Sequence, residues 1–298
     1  MAGYPWQRLW VSDAEAPIDY SLDYNGYFSP WGRAQALENW QDTPCLILLG
    51  EPGMGKSWEW KQLQQNTADE LHCFFNLGGI SSADQLTSRL ERKPVIKQWL
   101  AQPDTTLWLW LDSFDEGLLH ELKLAQALRT LIEDWPKERL RFRILSRTAT
   151  WQEFFTQYLI ELFADQPDRK GVHKLHLAPL TQAQVQEAAE TEGIVATEFF
   201  VAVENADAVA MAIRPVTLRL LFRLWQGDDF GGSVRKSKGE LFAAGCRRLC
   251  EENWDEQRTR PDDYDPDIRL RVAAHLALLM VFGNRQALLL NEPEGLVG

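Results

Sequence analysis

The sequence holds only 4 cysteines among its 298 residues. Cys45 and Cys73 stand apart, and Cys246 and Cys250 lie one helical turn from each other. That spacing suits a packed helix and makes no metal-ligand pattern. So few thiols exclude a disulfide scaffold and suit a reducing cytosol, so a cytoplasmic location is expected. No stretch of about 20 apolar residues is free of charge, which excludes a membrane-spanning helix. The first residues, Met1-Ala2-Gly3-Tyr4-Pro5-Trp6-Gln7-Arg8, lack the apolar core of a signal peptide. Basic charge is short as well: 31 Lys and Arg face 43 Asp and Glu, for a net charge of −12. Holding nucleic acid through its phosphates needs a basic surface, so nucleic acid is not an expected partner of this chain beyond some local patch. Tryptophan, by contrast, is plentiful at 13 residues, and most of these suit core and interface anchors. A 45% hydrophobic, 25% charged composition is that of an ordinary globular protein, long enough for two or three domains.

The chain is organised around Gly50-Glu51-Pro52-Gly53-Met54-Gly55-Lys56-Ser57. This run fits the P-loop pattern, in which glycines let the backbone fold around phosphates. Its context fits too. The apolar Cys45-Leu46-Ile47-Leu48-Leu49 has strand length, and Trp58 to Gln65 reads as the start of a helix. Gly50, Gly53 and Gly55 can take backbone angles closed to other residues, so the loop N–H groups can turn inward as an anion nest backed by the positive end of the helix. Lys56 would reach the β- and γ-phosphates, and the Ser57 hydroxyl would hold Mg²⁺.

Around the loop the chain alternates strands and helices. Residues 1 to 31 are aromatic and turn-rich, with little regular structure expected; they read as a segment draped over the next domain, with a wall for the adenine pocket as the less favoured alternative. Gly32 to Gln41 reads as a helix, with Ala34, Leu37 and Trp40 at helical spacing. Leu71 to Leu77 reads as a buried strand stopped by Gly78-Gly79, and Ser81 or Ser82 as the cap of a helix over Ala83 to Arg92. Thr105 to Leu111 is a seven-residue apolar run of the kind buried in parallel sheets. It ends in Asp112-Ser113-Phe114-Asp115-Glu116, acids at the sheet edge where open α/β sheets bind ligands. A helix over Leu118 to Trp135, a strand Arg141 to Leu145 ending in Ser146-Arg147-Thr148, a helix Trp151 to Phe163 and an edge strand Val172 to Leu177 follow. This rhythm predicts an α/β fold with a parallel P-loop NTPase sheet covered by helices on both faces. From Leu180 helices dominate: Thr181 caps the first, Glu240 to Trp254 and Ile268 to Phe282 form later ones, and there is no repeat array. The expected organisation is an N-terminal segment 1–40, an NTPase domain 41–179, a helical subdomain 180–228, and a helical region 229–298 that resembles the start of a winged-helix subdomain and so reads as incomplete.

Phosphate chemistry needs a metal bridging the β- and γ-oxygens and a group that positions water. Asp112 is placed to hold Mg²⁺, directly or through water, beside Ser57. Asp115 or Glu116 would orient or deprotonate the attacking water, with Glu116 favoured as base; either could instead be a helix N-terminal acid. Arg147 ends a strand that should neighbour the Asp112 strand, where a guanidinium can sense the γ-phosphate; a surface Arg paired with a carboxylate is the alternative.

These motifs resemble the NACHT branch of the STAND P-loop NTPases. Leu107-Trp108-Leu109-Trp110-Leu111-Asp112-Ser113-Phe114-Asp115-Glu116 is similar to that family's extended Walker B, with Ser113 where Gly is usual. Ile144-Leu145-Ser146-Arg147-Thr148 resembles its sensor-1 strand. Leu177 to Val185 resembles the entry to its helical subdomain, and Ile213-Arg214-Pro215-Val216-Thr217-Leu218 its proline motif, which implies that Pro215 lies near the base. The resemblance covers residues 40 to 225 and, more loosely, 236 to 290. It implies ATP/ADP and Mg²⁺ as ligands, ATPase activity, self-oligomerisation on activation, and a role like that of antiphage defence sensors. Its members are usually longer, so the chain reads as part of a larger protein, or as a subunit whose sensor and effector are partner domains or proteins. The family's phosphate-binding histidine cannot be placed; His275 reads as a core or helix-packing residue. Three rivals remain: an AAA-type ATPase helping DNA transposition or replication, a nucleotide-binding scaffold without turnover and, more weakly, a metabolic kinase.

Overall fold

The computed structural model describes residues 7–13, 22–29, 34–51, 53–56, 59, 63–64, 67, 70–77, 80, 82–114, 122–164, 171–226, 238–251 and 265–283. They divide into two compact units, Met1–Phe200 with Val209–Arg219, and Val201–Ala208 with Leu220–Gly298.

The first unit is built on seven strands: β1 (Leu9–Ser12), β2 (Ala34–Ala36), β3 (Cys45–Leu49), β4 (Leu71–Asn76), β5 (Leu107–Asp112), β6 (Leu140–Ser146) and β7 (Val172–Leu177). Their order is β2-β1-β7-β3-β6-β5-β4. Strands β3 to β7 are mutually parallel where they pair, and β1 and β2 add an antiparallel margin. The α/β expectation therefore holds, and three local ones change. β7 is an interior strand, because β1 pairs along its far side. The aromatic N-terminal stretch supplies that extra strand. Gly32 to Gln41 does not form one helix: residues 34–36 are β2 and Leu37–Trp40 a single 3₁₀ turn. Leu37 is buried there, a use of the apolar spacing that needs only one turn.

The chain leaves β3, crosses to the far edge at β4, then returns through β5 and β6. Right-handed crossovers put the outward and returning helices on opposite faces. The returning helices are α1 (Ala83–Glu91), α2 (Pro94–Ala101), α3 (Leu122–Glu133) and α4 (Glu153–Leu162). Leu86, Leu90, Ile96, Trp99, Leu128 and Phe155 from them pack on Cys45, Ile47, Leu109, Leu111 and Ile144. The opposite face carries Leu46, Leu48, Trp108, Trp110 and Leu145 with Trp10, Leu37, Met54 and Leu63, as the two-residue period of strands requires. Ser82 caps α1 by accepting from the Gln85 N–H at 3.2 Å.

Sequence patterning gave no hint of a buried arginine inside β6. Arg143 is 0% exposed and its guanidinium donates to the carbonyls of Gln41 (2.9 Å), Thr43 (2.8 Å), Pro44 (3.3 Å) and Phe142 (3.0 Å). It also lies 4.8 Å from the Trp108 ring centre. Burial pulls its pKa down to about 9, and these contacts hold the charge in place.

After β7 come α5 (Gln182–Thr191), α6 (Ala196–Asn205), α7 (Val209–Ala212) and α8 (Pro215–Gln226). Thr181 and Gln184 form a reciprocal capping box on α5. The second unit contains α9 (Lys238–Glu251) and α10 (Pro266–Phe282), joined by an Arg247–Asp267 ion pair at 3.0 Å. Gly245 lets α9 approach Leu220, whose Cδ2 lies 2.1 Å from where a Cβ would be. His275 is exposed on α10, its Nδ1 2.8 Å from the Arg271 carbonyl, so it packs into no core among the described residues. Cys246 is exposed on α9. No described helix is long and apolar enough to cross a membrane.

Candidate functional site

The site forms where β3 ends. Residues 45–49 are fully apolar and buried, and the chain leaves the strand at Gly50. The Gly50 N–H donates to the Ser146 carbonyl at 3.3 Å, which ties the loop to the tip of β6. Gly53 (φ +77°) and Gly55 (φ +93°) take the left-handed conformations that the motif anticipates. The chain is helical at Lys56, Glu59, Leu63 and Gln64. The Lys56 ammonium bends back over the loop, donating to the carbonyls of Gly50 and of Glu51 (3.1 Å). Met54 is buried and anchors the loop in the core beneath. Pro52 and Ser57 lie outside the described residues.

The sheet's C-terminal edge supplies the other groups. Asp112 ends β5 and is half-buried. Its Oδ1 accepts from the Ser113 N–H at 2.8 Å. Ser113 has φ +57°, a left-handed conformation where glycine is at ease. Arg147 lies one residue past β6, half-buried and extended (φ −82°, ψ 143°). β6 runs between β3 and β5, so Arg147 emerges between the P-loop strand and the acid strand. By strand alternation, Asp112 follows Trp108 and Trp110, and Arg147 follows Leu145, onto the face that carries Met54 and Leu63. Asp115 and Glu116 lie outside the described residues.

One polar neighbour was not singled out by motif. Asn76 ends β4 opposite Asp112 in register and is exposed. Its signal was available: a single amide closing an apolar strand run, on the same edge as the acids. Ser146 Oγ and Thr148 Oγ1 flank Arg147, buried and without a hydrogen-bond partner among the described residues.

The proline motif approaches from the helical side. Pro215 begins α8 and is half-buried. Its neighbour Val216 touches the P-loop directly: a Cβ on Gly53 would meet Val216 Cγ2 at 2.8 Å. The N-terminal turn 22–28 joins this end of the unit. Asp23 Oδ1 accepts from the N–H groups of Asn25 and Tyr27, both at 2.9 Å. Phe28 N–H donates to Leu180 O (3.3 Å), and Leu180 N–H to Ile213 O (2.8 Å). The buried Tyr27 ring meets Phe200 edge-on at 5.6 Å.

No protein-family model matches the sequence, and no curated protein does. Among solved structures, the Walker-type ATPase PABY2304 of Pyrococcus abyssi is similar over 86% of this chain and 83% of its own, with TM-score 0.44 and 12% identity. A proline-to-glycine mutant of RuvB from Thermotoga maritima is similar over 83% of this chain and 74% of its own, with TM-score 0.41 and 13% identity.

As a donor set, Asp112 and the Ser57 of the motif offer hard carboxylate and hydroxyl oxygens, which fit Mg²⁺. Among the described residues there is no cluster of three or more His, Cys, Asp or Glu that would hold a metal by itself, and a Mg²⁺ that shares its shell with phosphates and waters needs none.

Proposed function

We propose that the chain is an adenine-nucleotide switch of the NACHT type: it binds ATP and ADP, hydrolyses ATP slowly with Mg²⁺, and oligomerises on activation. The observation that carries this reading is the loop at the end of β3, where two left-handed glycines, the folded-back Lys56 and the Val216 contact meet. In it the loop amides and Lys56 bind the phosphates, Ser57 and Asp112 hold the metal, and Glu116, with Asp115 beside it, orients water. Arg147 reports on the γ-phosphate, and Pro215 lies against the base. Mg²⁺ held by Ser57 and Asp112 would supply positive charge beside the phosphates. Turning a switch from about 1:99 to about 99:1 takes about 5.5 kcal/mol of differential binding, which a few charge-assisted contacts can provide. The trigger and the output belong to sensor and effector partners, in a setting resembling antiphage defence.

The test is to identify the nucleotide that co-purifies with the chain by mass spectrometry and to titrate nucleotide by calorimetry. ADP in the wild type, with binding abolished in Lys56→Ala, is the expected result. Full ATP affinity in Lys56→Ala would refute the assignment. Phosphate release that stays at background with Mg²⁺ and the cognate partners present would leave a binding scaffold without turnover.

A further inference from the structure

Glu59 is an acid that the phosphate chemistry does not use. It sits on the helix leaving the P-loop, three residues after Lys56, and is only 6% exposed. Trp10, in β1, is 0% exposed and donates its indole N–H to Glu59 Oε2 at 3.1 Å. The Trp10 ring shares a core cluster with Met54 of the loop and Leu63 of the helix. Arg8, two residues before Trp10, is 4% exposed; its guanidinium donates to the Ala178 carbonyl and its charge acts on Glu59. One short N-terminal strand therefore grips the P-loop helix twice, by a polar contact and by packing.

We propose that Glu59 is a positioning residue for nucleotide binding: held by Trp10 of the N-terminal strand, it fixes the helix that carries Lys56, so that docking of this strand sets the affinity of the P-loop. The proposal rests on the nucleotide-binding reading above. A leucine at 59 would occupy the same space without desolvating an acid, so the polar contact answers a geometric need. Burial pushes the Glu59 carboxyl up to about 7, against the Trp10 hydrogen bond and the Arg8 charge, which pull it down, while Glu38 adds to the rise. Burial likewise pulls Arg8 down to about 10. Glu59 is thus held in the interior by a directional contact from Trp10 to the helix bearing Lys56, while Arg8, bonded to the Ala178 carbonyl, acts on it by charge alone. A hydrogen bond from an indole fixes a side chain in direction as well as distance, which packing alone does not.

The test compares the wild-type chain with Glu59→Leu, Glu59→Gln, Trp10→Phe and the Trp10→Phe/Glu59→Leu pair, measuring ADP binding by calorimetry and unfolding in urea. Glu59→Leu and Trp10→Phe are each expected to raise the ADP Kd about tenfold while the chain stays folded. Glu59→Gln, which keeps an acceptor for the indole, should stay within threefold of wild type, and the double variant should be no weaker than either single one. A role in stability alone would shift the urea midpoint and leave the Kd of the folded chain unmoved, which overturns the proposal. So would additive effects in the double variant, or an equal loss of affinity in Glu59→Gln and Glu59→Leu. Should Glu59→Leu fail to fold, the milder Trp10→Phe decides by the same criterion. A wild type that binds no nucleotide would remove the nucleotide reading and this proposal together; a wild type that binds with unaltered variants overturns this proposal alone.

Discussion

Gly53 and Gly55 look equivalent in the motif, and the structure makes them different. Both have positive φ, +77° and +93°, so an alanine at either position bears about 1–2 kcal/mol of left-handed strain. A Cβ on Gly55 would meet nothing within 4 Å, while one on Gly53 would stand 2.8 Å from Val216 Cγ2 and 3.2 Å from Val216 Cβ. Ordinary carbon contacts begin near 3.5 Å, so overpacking adds about 1–3 kcal/mol at Gly53 alone. Gly53→Ala should therefore destabilise the chain by ~2–5 kcal/mol and Gly55→Ala by ~1–2 kcal/mol. Val216 is 51% exposed, so Val216→Ala by itself should cost under about 1 kcal/mol. Combined with Gly53→Ala it removes the clashing methyl and should recover about 1–2 kcal/mol; combined with Gly55→Ala it should recover nothing. Urea midpoints with unchanged slopes give these numbers. Equal coupling of Val216 to both glycines, or none to Gly53, would show that α8 does not rest on the P-loop and would remove the structural basis for placing Pro215 near the nucleotide.

Arg143→Leu should destabilise by roughly 3–5 kcal/mol, because the carbonyls of residues 41–44 lose their donor in the interior; Arg143→Lys should rescue little, since an ammonium cannot serve so many carbonyls and stack on Trp108 at once. Both are read from thermal or urea unfolding. Ser113→Gly should stabilise by up to about 1 kcal/mol by relieving the left-handed residue after Asp112; a loss of stability there would deny that the position is strained. Burial raises the Glu59 carboxyl to about 7, from an ordinary 4.5, so the folded chain holds a proton that the unfolded chain releases. The stability linked to that proton is present below pH 4.5 and lost as pH rises through 7, a change of about 3 kcal/mol. Urea unfolding across this range should show the decline in wild type and not in Glu59→Gln.

Much of this fold is written locally. Strands β3 and β5 are unbroken apolar runs because parallel strands are covered on both faces, and the Asp112 that ends β5 marks the sheet edge. Thr181 was readable as a cap because Gln184 stands three residues on, and both halves of the capping box depend on neighbours in sequence. The failures have a common cause. Residues 34–40 carry helical spacing, yet a partner strand at Leu9–Ser12 claims the backbone of 34–36, and tertiary pairing overrides a weak local preference. Val172–Leu177 alternates like an edge strand, but its status depended on whether another segment would pair with its open side, and that segment lay far upstream.

The site divides along the same line. The glycines, Lys56 and Asp112 are tied to a motif, and strand alternation places Asp112 and Arg147 on one face. Asn76 was missed because its significance comes from register with Asp112, across two strands whose order no local pattern reveals. Arg143 reads in sequence as an ordinary strand residue; only the approach of Gln41 to Pro44, about a hundred positions away, turns it into a buried hub. Trp10 and Glu59 are 49 residues apart, one in a segment without a clear pattern and one in a helix whose polar residues all look solvated. An acid beside a motif is normally an exposed acid. What changes that here is a strand that docks antiparallel on β7 and carries its tryptophan under the loop. The residues that make a P-loop are fixed by chemistry with the ligand and so recur as a pattern, whereas the residues that hold it in place are fixed by whatever packs behind it. The second set has to be sought in each structure, and in this one it points to the N-terminal strand.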